Sequence, residues 1–150
     1  MDDTIVFTEE KRQHLEFIQN IITRLNSNCA QVKGITITVV SALMAIYAST
    51  SNVMFIFLGI IPTLLFWFLD SYYLQQERKF RGVYEDVAGI EHRVDVRLYE
   101  MPIKKYTRKV DKKFSYCNVF FSKTIFWLYF SIITFLSTIG IILNYSCLTF

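Results

Sequence analysis

The chain has 150 residues, of which 53% are hydrophobic, 17% aromatic and 19% charged, and its formal net charge is +3. Soluble domains carry about 25% charged residues, and here residues 35–69 and 124–150 contain no Asp, Glu, Lys or Arg. Because about 20 uncharged apolar residues cross the hydrocarbon core of a bilayer, this pattern excludes an ordinary soluble domain and predicts an integral membrane protein.

The first predicted element is an amphipathic helix over residues 8–27. Thr8 supplies a capping hydroxyl, and the two glutamates after it lie at the positive end of the helix dipole. An apolar stripe at helical spacing is formed by Leu15, Ile18, Ile22 and Leu25. This helix could lie in the membrane interface or pack on a partner helix, and its acidic start, unlike that of a lipid-seeking basic helix, favours packing. It forms the first predicted domain, residues 1–33.

Three membrane spans are predicted next. The uncharged stretch that ends at Leu69 is too long for one span, and it predicts a transmembrane hairpin over residues 34–69 with a tight turn at Ser51-Asn52. Pro62 is expected to kink the second span. The last span falls within residues 124–150, which end in a short external tail, and the fold class is therefore an all-α membrane protein.

Basic residues indicate the orientation in the membrane. Residues 1–34 contain four Lys or Arg and residues 70–123 contain the other twelve, whereas the hairpin turn and residues 146–150 contain none. Because Lys and Arg are retained in the cytoplasm, we expect the N-terminus and residues 70–123 to lie inside and the C-terminus outside.

Residues 70–123 are predicted to be a basic cytoplasmic helical segment. A helix is expected to continue from the second span to about residue 94, and the alternating VDVRLYEM after it is typical of a short extended piece. The stretch KKYTRKVDKK holds six basic residues and one acid, and the whole segment nets +4 from twelve basic and eight acidic residues. Such a segment attracts anionic lipid without any other ligand, and it could also hold phosphates while its Tyr and Phe rings stack on bases.

Catalytic and metal-binding patterns are not found in the sequence. It has no glycine-rich phosphate loop and no nucleophile motif, and the spans carry no ionisable group of the kind that intramembrane enzymes use. Cys29, Cys117 and Cys147 are scattered and read as isolated thiols. We therefore expect a protein that is not an enzyme and that needs no metal or cofactor.

Small and hydroxyl residues recur along two of the spans. Such faces let helices approach closely, within one subunit or between subunits, and they could instead line a mildly polar pore. A single chain with three spans cannot enclose a channel, so a pore would need an oligomer. The residues of this small-residue stripe are Gly34, Thr38, Ser41 and Ala45 on the first span and Ser131, Thr134 and Thr138 on the third.

The stretches HLEFIQNIITRLNSN, KGITITVVSALMAIYA and FWFLDSYYLQQERKFRGVYEDV resemble small membrane effectors of bacterial anti-phage defence. The similarity covers most of residues 14–87 and points to effectors of the Hailong type, with CBASS-type membrane effectors as the alternative. It implies a homo-oligomeric channel, with a tetramer favoured, that depolarises the bacterial inner membrane. It also implies a partner nucleotidyltransferase whose anionic oligonucleotide, possibly DNA, holds the channel closed or opens it.

Under this interpretation the oligonucleotide would bind the cytoplasmic segment. A rival interpretation is a non-conducting membrane adapter that recruits a cytoplasmic partner through the same basic segment. The predicted ligand residues are Arg78, Arg81, Lys104, Lys105, Arg108 and Lys109, with Tyr73 and Tyr84 as stacking faces.

Overall fold

The structure, a computed structural model, describes residues 2–148, in which the regular secondary structure is helical and no β-strand occurs. This confirms the all-α class. Three helical stretches are long and apolar enough to cross a membrane, namely Thr8–Thr50, Met54–Ala88 and Lys123–Tyr145. The helices are α1 (Asp2–Thr50), α2 (Met54–Leu58), α3 (Ile60–Ala88), α4 (Tyr116–Phe120) and α5 (Lys123–Leu148), with 3₁₀ turns at Ile103–Lys105 and Lys112–Phe114.

Helix α1 joins the predicted amphipathic helix and the predicted first span in one element of 49 residues. The polar run Asn26-Ser27-Asn28 does not interrupt it, because these residues lower helix propensity by well under 1 kcal/mol each. The helix ends at Thr50, and Ser51 adopts a positive φ of 53° in the turn that follows. The side chain of Asn52 closes this turn by accepting a hydrogen bond from the Met54 amide at 3.0 Å.

The second span is interrupted near Pro62, but not at it. The break lies at Gly59, between α2 and α3, one turn before the proline. Pro62 has no N–H to donate to the Leu58 carbonyl, and its ring crowds that carbonyl, so the helical ladder is disturbed one turn earlier. The Gly59 amide instead makes a shorter-range bond to the Ile56 carbonyl at 3.2 Å.

Helix α3 ends at Ala88, earlier than the predicted position near residue 94. Gly89 has a φ of +80°, and its amide bonds to the Asp86 carbonyl, while the Ile90 amide bonds to the Glu85 carbonyl. This pair of bonds is a Schellman cap, which glycine favours because it lacks a Cβ. The stretch VDVRLYEM forms bends and a turn at Tyr99 with no strand, and the KKYTRKVDKK stretch forms 3₁₀ and other turns with no α-helix.

The chain divides into two compact units. Unit 1 contains α1 up to Cys29 together with Tyr72–Val119, and unit 2 contains Ala30–Ser71 and the residues from Phe120 onward. Their boundaries fall within α1, α3 and α4, a few residues from the edges of the charge-free stretches. The polar groups of the chain are therefore concentrated in unit 1 and its longest apolar helical surfaces in unit 2.

The core of unit 1 packs the irregular segment after α3 against that helix. Ile18 of α1, Val83 of α3, Tyr106 and Phe114 are each at most 1% exposed and form one cluster. The rings of Tyr106 and Phe114 meet edge to face at 5.3 Å. Both rings reach the backbone of α3 at Gly82, where an added Cβ would lie 2.7 Å from the Phe114 ring and 2.8 Å from the Tyr106 ring.

In the core of unit 2, helices α2 and α5 approach each other closely at a glycine. A Cβ on Gly140 of α5 would lie 2.8 Å from the ring of Phe57 in α2, as expected where small residues let membrane helices approach. Trp67 stacks on Phe120 at 4.4 Å and on Tyr129 at 6.0 Å.

Candidate functional site

Unit 1 contains a groove between α1 and α3. Its volume is about 480 Å³, within the roughly 300–1,000 Å³ range of small-ligand sites. Helix α1 contributes polar residues to it, and α3 contributes a cation, an aromatic ring and an acid. We call this the α1–α3 groove, and it is lined by Gln19, Ile22, Thr23, Asn26, Arg81, Tyr84, Glu85 and Ile90.

Arg81 stands at the groove with its side chain oriented by an acid one turn earlier. Its Nε and Nη2 atoms each lie 2.8 Å from Oε1 of Glu77. The Glu77 side chain is 7% exposed and the Arg81 side chain is 57% exposed. Because a guanidinium carries five N–H donors in a fixed fork, this contact leaves donors that can reach a ligand.

Glu85 would repel an anion in the same groove if its charge were not offset. Its carboxylate accepts hydrogen bonds from Nη1 of Arg93 at 2.8 Å and from Nζ of Lys113 at 3.2 Å. Both cations come from the irregular segment that follows α3. The charge of Glu85 on the wall of the groove is therefore offset, and its carboxylate holds the side chains of Arg93 and Lys113 in place.

Asp86 fastens that irregular segment to α3 next to the groove. One carboxylate oxygen accepts the Arg93 amide at 3.2 Å, and the other accepts the Val94 amide at 3.1 Å and the Tyr106 hydroxyl at 2.6 Å. Burial raises the pKa of Tyr106 above its ordinary value, and the hydrogen bond to the Asp86 carboxylate raises it further. The segment is thus ordered by a buried carboxylate and not by a strand or helix of its own.

The predicted ligand residues are dispersed over unit 1. Arg81 and Tyr84 line the α1–α3 groove together, whereas Lys105 pairs with Glu100 at 3.4 Å and borders a separate open cavity of about 840 Å³. Arg78 is partly buried on α3. The remaining members are exposed cations on the irregular segment and one ring that meets Tyr72 at 5.9 Å, and they are Lys104, Arg108, Lys109 and Tyr73.

The three polar residues that α1 contributes to the groove were not among the predicted ligand residues. Gln19, Thr23 and Asn26 lie in α1 at steps of four and three, which places them on one helix face. That spacing is a signal that the sequence contains, but amides on a helix usually indicate a solvated surface. The groove became recognisable only when α3 was placed beside this face.

The residues of the predicted small-residue stripe are exposed on the surface of the single chain. Its hydroxyls bond to the helix backbone, as in Thr38 to the Gly34 carbonyl at 3.0 Å and Thr138 to the Thr134 carbonyl at 2.8 Å. Ser41 of α1 and Ser131 of α5 border the same apolar groove of about 420 Å³. Exposure is found for all seven stripe residues, Gly34, Thr38, Ser41, Ala45, Ser131, Thr134 and Thr138.

Two further observations bear on the chemistry of these surfaces, namely the search for metal-ligand clusters and the comparison with known proteins. Among the described residues, no three His, Cys, Asp or Glu side chains are grouped so that they could hold a metal ion. Comparisons of the chain with protein-family models, with curated proteins and with solved structures found no match.

Proposed function

We propose that this chain is the subunit of a homo-oligomeric channel of the bacterial inner membrane, gated by an anionic oligonucleotide that binds unit 1. In this proposal it acts as an anti-phage defence effector that depolarises the membrane, and a partner nucleotidyltransferase makes the oligonucleotide. The observation that carries the proposal is the exposed small-residue stripe on helices that are apolar enough to span a membrane.

The stripe supports assembly because its small side chains form a surface on which another helix can pack closely. The hydroxyls of Thr38, Ser131 and Thr138 are already bonded to the backbone of their own helix, so they add little cost when another helix covers them. Small residues let two backbones approach closely. Copies arranged around an axis, with a tetramer favoured, would cover part of the stripe between helices and leave the other part along a shared path for ions.

The charge distribution supports an anionic ligand. Four lysines or arginines between residues 104 and 109, Lys104, Lys105, Arg108 and Lys109, are exposed in unit 1. By the positive-inside rule we expect this unit and the N-terminus in the cytoplasm and the C-terminus in the periplasm. In an oligomer the cations of several copies would add to one positive field, which attracts phosphates.

The test of assembly uses the stripe itself. Protein purified in native lipid is cross-linked, and ion flux is measured after reconstitution into vesicles. We expect a discrete multimer and a conductance, and we expect the double variant Thr38→Leu with Ser41→Leu to reduce both. The control is Ile46→Phe, which enlarges an exposed side chain on another face of the same helix.

Two results would contradict the proposal in different ways. Single protomers in cross-linked native lipid would remove both the channel and the shared ligand site. A multimer that passes no ions, with or without bound oligonucleotide, would favour the non-conducting adapter that recruits a cytoplasmic partner through its basic segment.

A further inference from the structure

We infer that the α1–α3 groove holds a single nucleobase of the bound oligonucleotide, and that Gln19 and Asn26 determine which base it accepts. This inference rests on the proposed function, because it concerns the same oligonucleotide. It adds α1 to the ligand site and a preference among bases to the ligand.

The groove offers the contacts that a base requires. Tyr84 supplies an aromatic side chain, and Ile22 and Ile90 supply apolar contacts on the same lining. Flat bases stack on aromatic rings whatever their identity, so Tyr84 accounts for binding but not for a choice between bases. The volume of about 480 Å³ accommodates a ligand of this size.

The choice between bases falls to the two carboxamides. A carboxamide carries a donor and an acceptor side by side, which allows paired hydrogen bonds to a base edge. The third polar residue of α1 on the groove, Thr23, donates its hydroxyl to the backbone carbonyl of Gln19 at 3.0 Å and is already engaged. Gln19 and Asn26 are therefore the α1 side chains that can read the base.

The charges of the groove are largely offset by their neighbours. Arg81 is paired with Glu77, and Glu85 is paired with Arg93 and Lys113. The groove should therefore recognise the base more than the phosphate, and the exposed cations near residue 108 should hold the phosphates. Base preference and salt dependence are then separable properties, because only phosphate contacts release counterions.

The experiment measures binding of fluorescently labelled homopolymers of deoxyadenosine, deoxycytidine and deoxythymidine to the full chain in detergent, over a range of salt. We expect the wild-type protein to prefer one homopolymer. Asn26→Ala or Gln19→Ala should reduce that preference by roughly 5- to 150-fold, with the slope against salt unchanged. Tyr84→Leu should weaken binding of every homopolymer by roughly 5- to 150-fold.

Two control variants separate the base contacts from general effects. Asn20→Ala removes an exposed carboxamide from α1 that does not line the groove, and it should leave the preference intact. Arg108→Glu with Lys109→Glu should weaken all homopolymers alike and make the salt slope shallower. Gel filtration of each variant shows whether it is folded.

The failures of the two proposals differ. If the wild-type protein binds oligonucleotides but Asn26→Ala and Gln19→Ala keep its base preference, the inference is wrong and the proposed function stands. If no oligonucleotide binds at any salt, the proposed ligand fails as well. Should the groove variants not fold, photo-crosslinking decides, with the homopolymer that the wild-type chain prefers carrying a photoreactive analogue of its own base. Crosslinks that avoid the peptides carrying Asn26 and Tyr84 would overturn the inference.

Discussion

Lys33 and Asp70 form an ion pair in which the ammonium nitrogen lies 2.9 and 2.8 Å from the two carboxylate oxygens. The Asp70 side chain is fully buried, and the Lys33 side chain is 26% exposed. The two residues flank the charge-free stretch of residues 35–69. The pair therefore joins α1 to α3 at the charged end of the apolar helical hairpin.

Replacing Lys33 should destabilise unit 2 more than replacing Asp70 does. Lys33→Met leaves a buried carboxylate without its main countercharge and is expected to cost about 3–5 kcal/mol. Asp70→Asn removes the buried charge itself and should cost less. Unfolding in a detergent titration measures both. The exchange variant Lys33→Asp with Asp70→Lys should recover part of the loss, and equal losses from the two single variants would contradict this account.

Gly82 should not tolerate a side chain, whereas Gly34 should. An added methyl at Gly82 lies under 3 Å from both core rings, so Gly82→Ala is expected to destabilise unit 1 by about 1–3 kcal/mol through overpacking. Gly34 is also within a helix but has nothing within 4 Å of an added Cβ. Gly34→Ala should therefore stabilise the protomer by about 0.5–1 kcal/mol. Thermal unfolding compares the two, and similar effects would show that the close contact at Gly82 is absent.

Asp86 should be among the most sensitive polar positions in unit 1. Asp86→Ala leaves three donors without their acceptor, and we expect a loss of about 3 kcal/mol or more. Tyr106→Phe removes one of those bonds and should cost only about 1 kcal/mol. Limited proteolysis of the segment after α3 reports the same difference. Equal protection in Asp86→Ala and the wild-type protein would show that this carboxylate does not order the segment.

The raised pKa of Tyr106 predicts a loss of stability at high pH. In the unfolded chain the hydroxyl ionises near its ordinary value of 10.0, whereas in the folded chain it stays protonated. The contribution is therefore complete below pH 10 and falls as the pH rises above it, by at most about 1.4 kcal/mol per pH unit. Tyr106→Phe lacks this contribution, so its stability relative to the wild-type protein should improve above pH 10. A constant difference across that range would contradict the prediction.

Cysteine labelling tests the proposed orientation. Cys117 is exposed in unit 1 and Cys29 is buried, while the Cys147 side chain lies outside the described residues and is replaced by Ser. A membrane-impermeant maleimide should then label the protein only after the inner membrane is permeabilised, because unit 1 is expected in the cytoplasm. Labelling of Cys117 in spheroplasts with intact inner membranes would reverse the topology.

The distribution of charged residues along the sequence was sufficient to predict three helices that are long and apolar enough to span a membrane. A charge-free stretch can be recognised in the sequence because its length and apolarity are properties of neighbouring residues and do not depend on the partner helix. The turn at Ser51-Asn52 is local for the same reason and could be predicted. The exact break in the second span could not, because Pro62 acts on a carbonyl one turn away and the helix yields at Gly59.

Only the tertiary structure decided which polar residues meet. Arg81 and Tyr84 could be singled out in the sequence, but Gln19 and Asn26 joined them once α1 and α3 packed side by side. The pairing of Lys33 with Asp70 likewise joins residues far apart in the chain. Such contacts depend on the rotation and register of two helices, and residue spacing within one helix carries no information about the rotation of its partner.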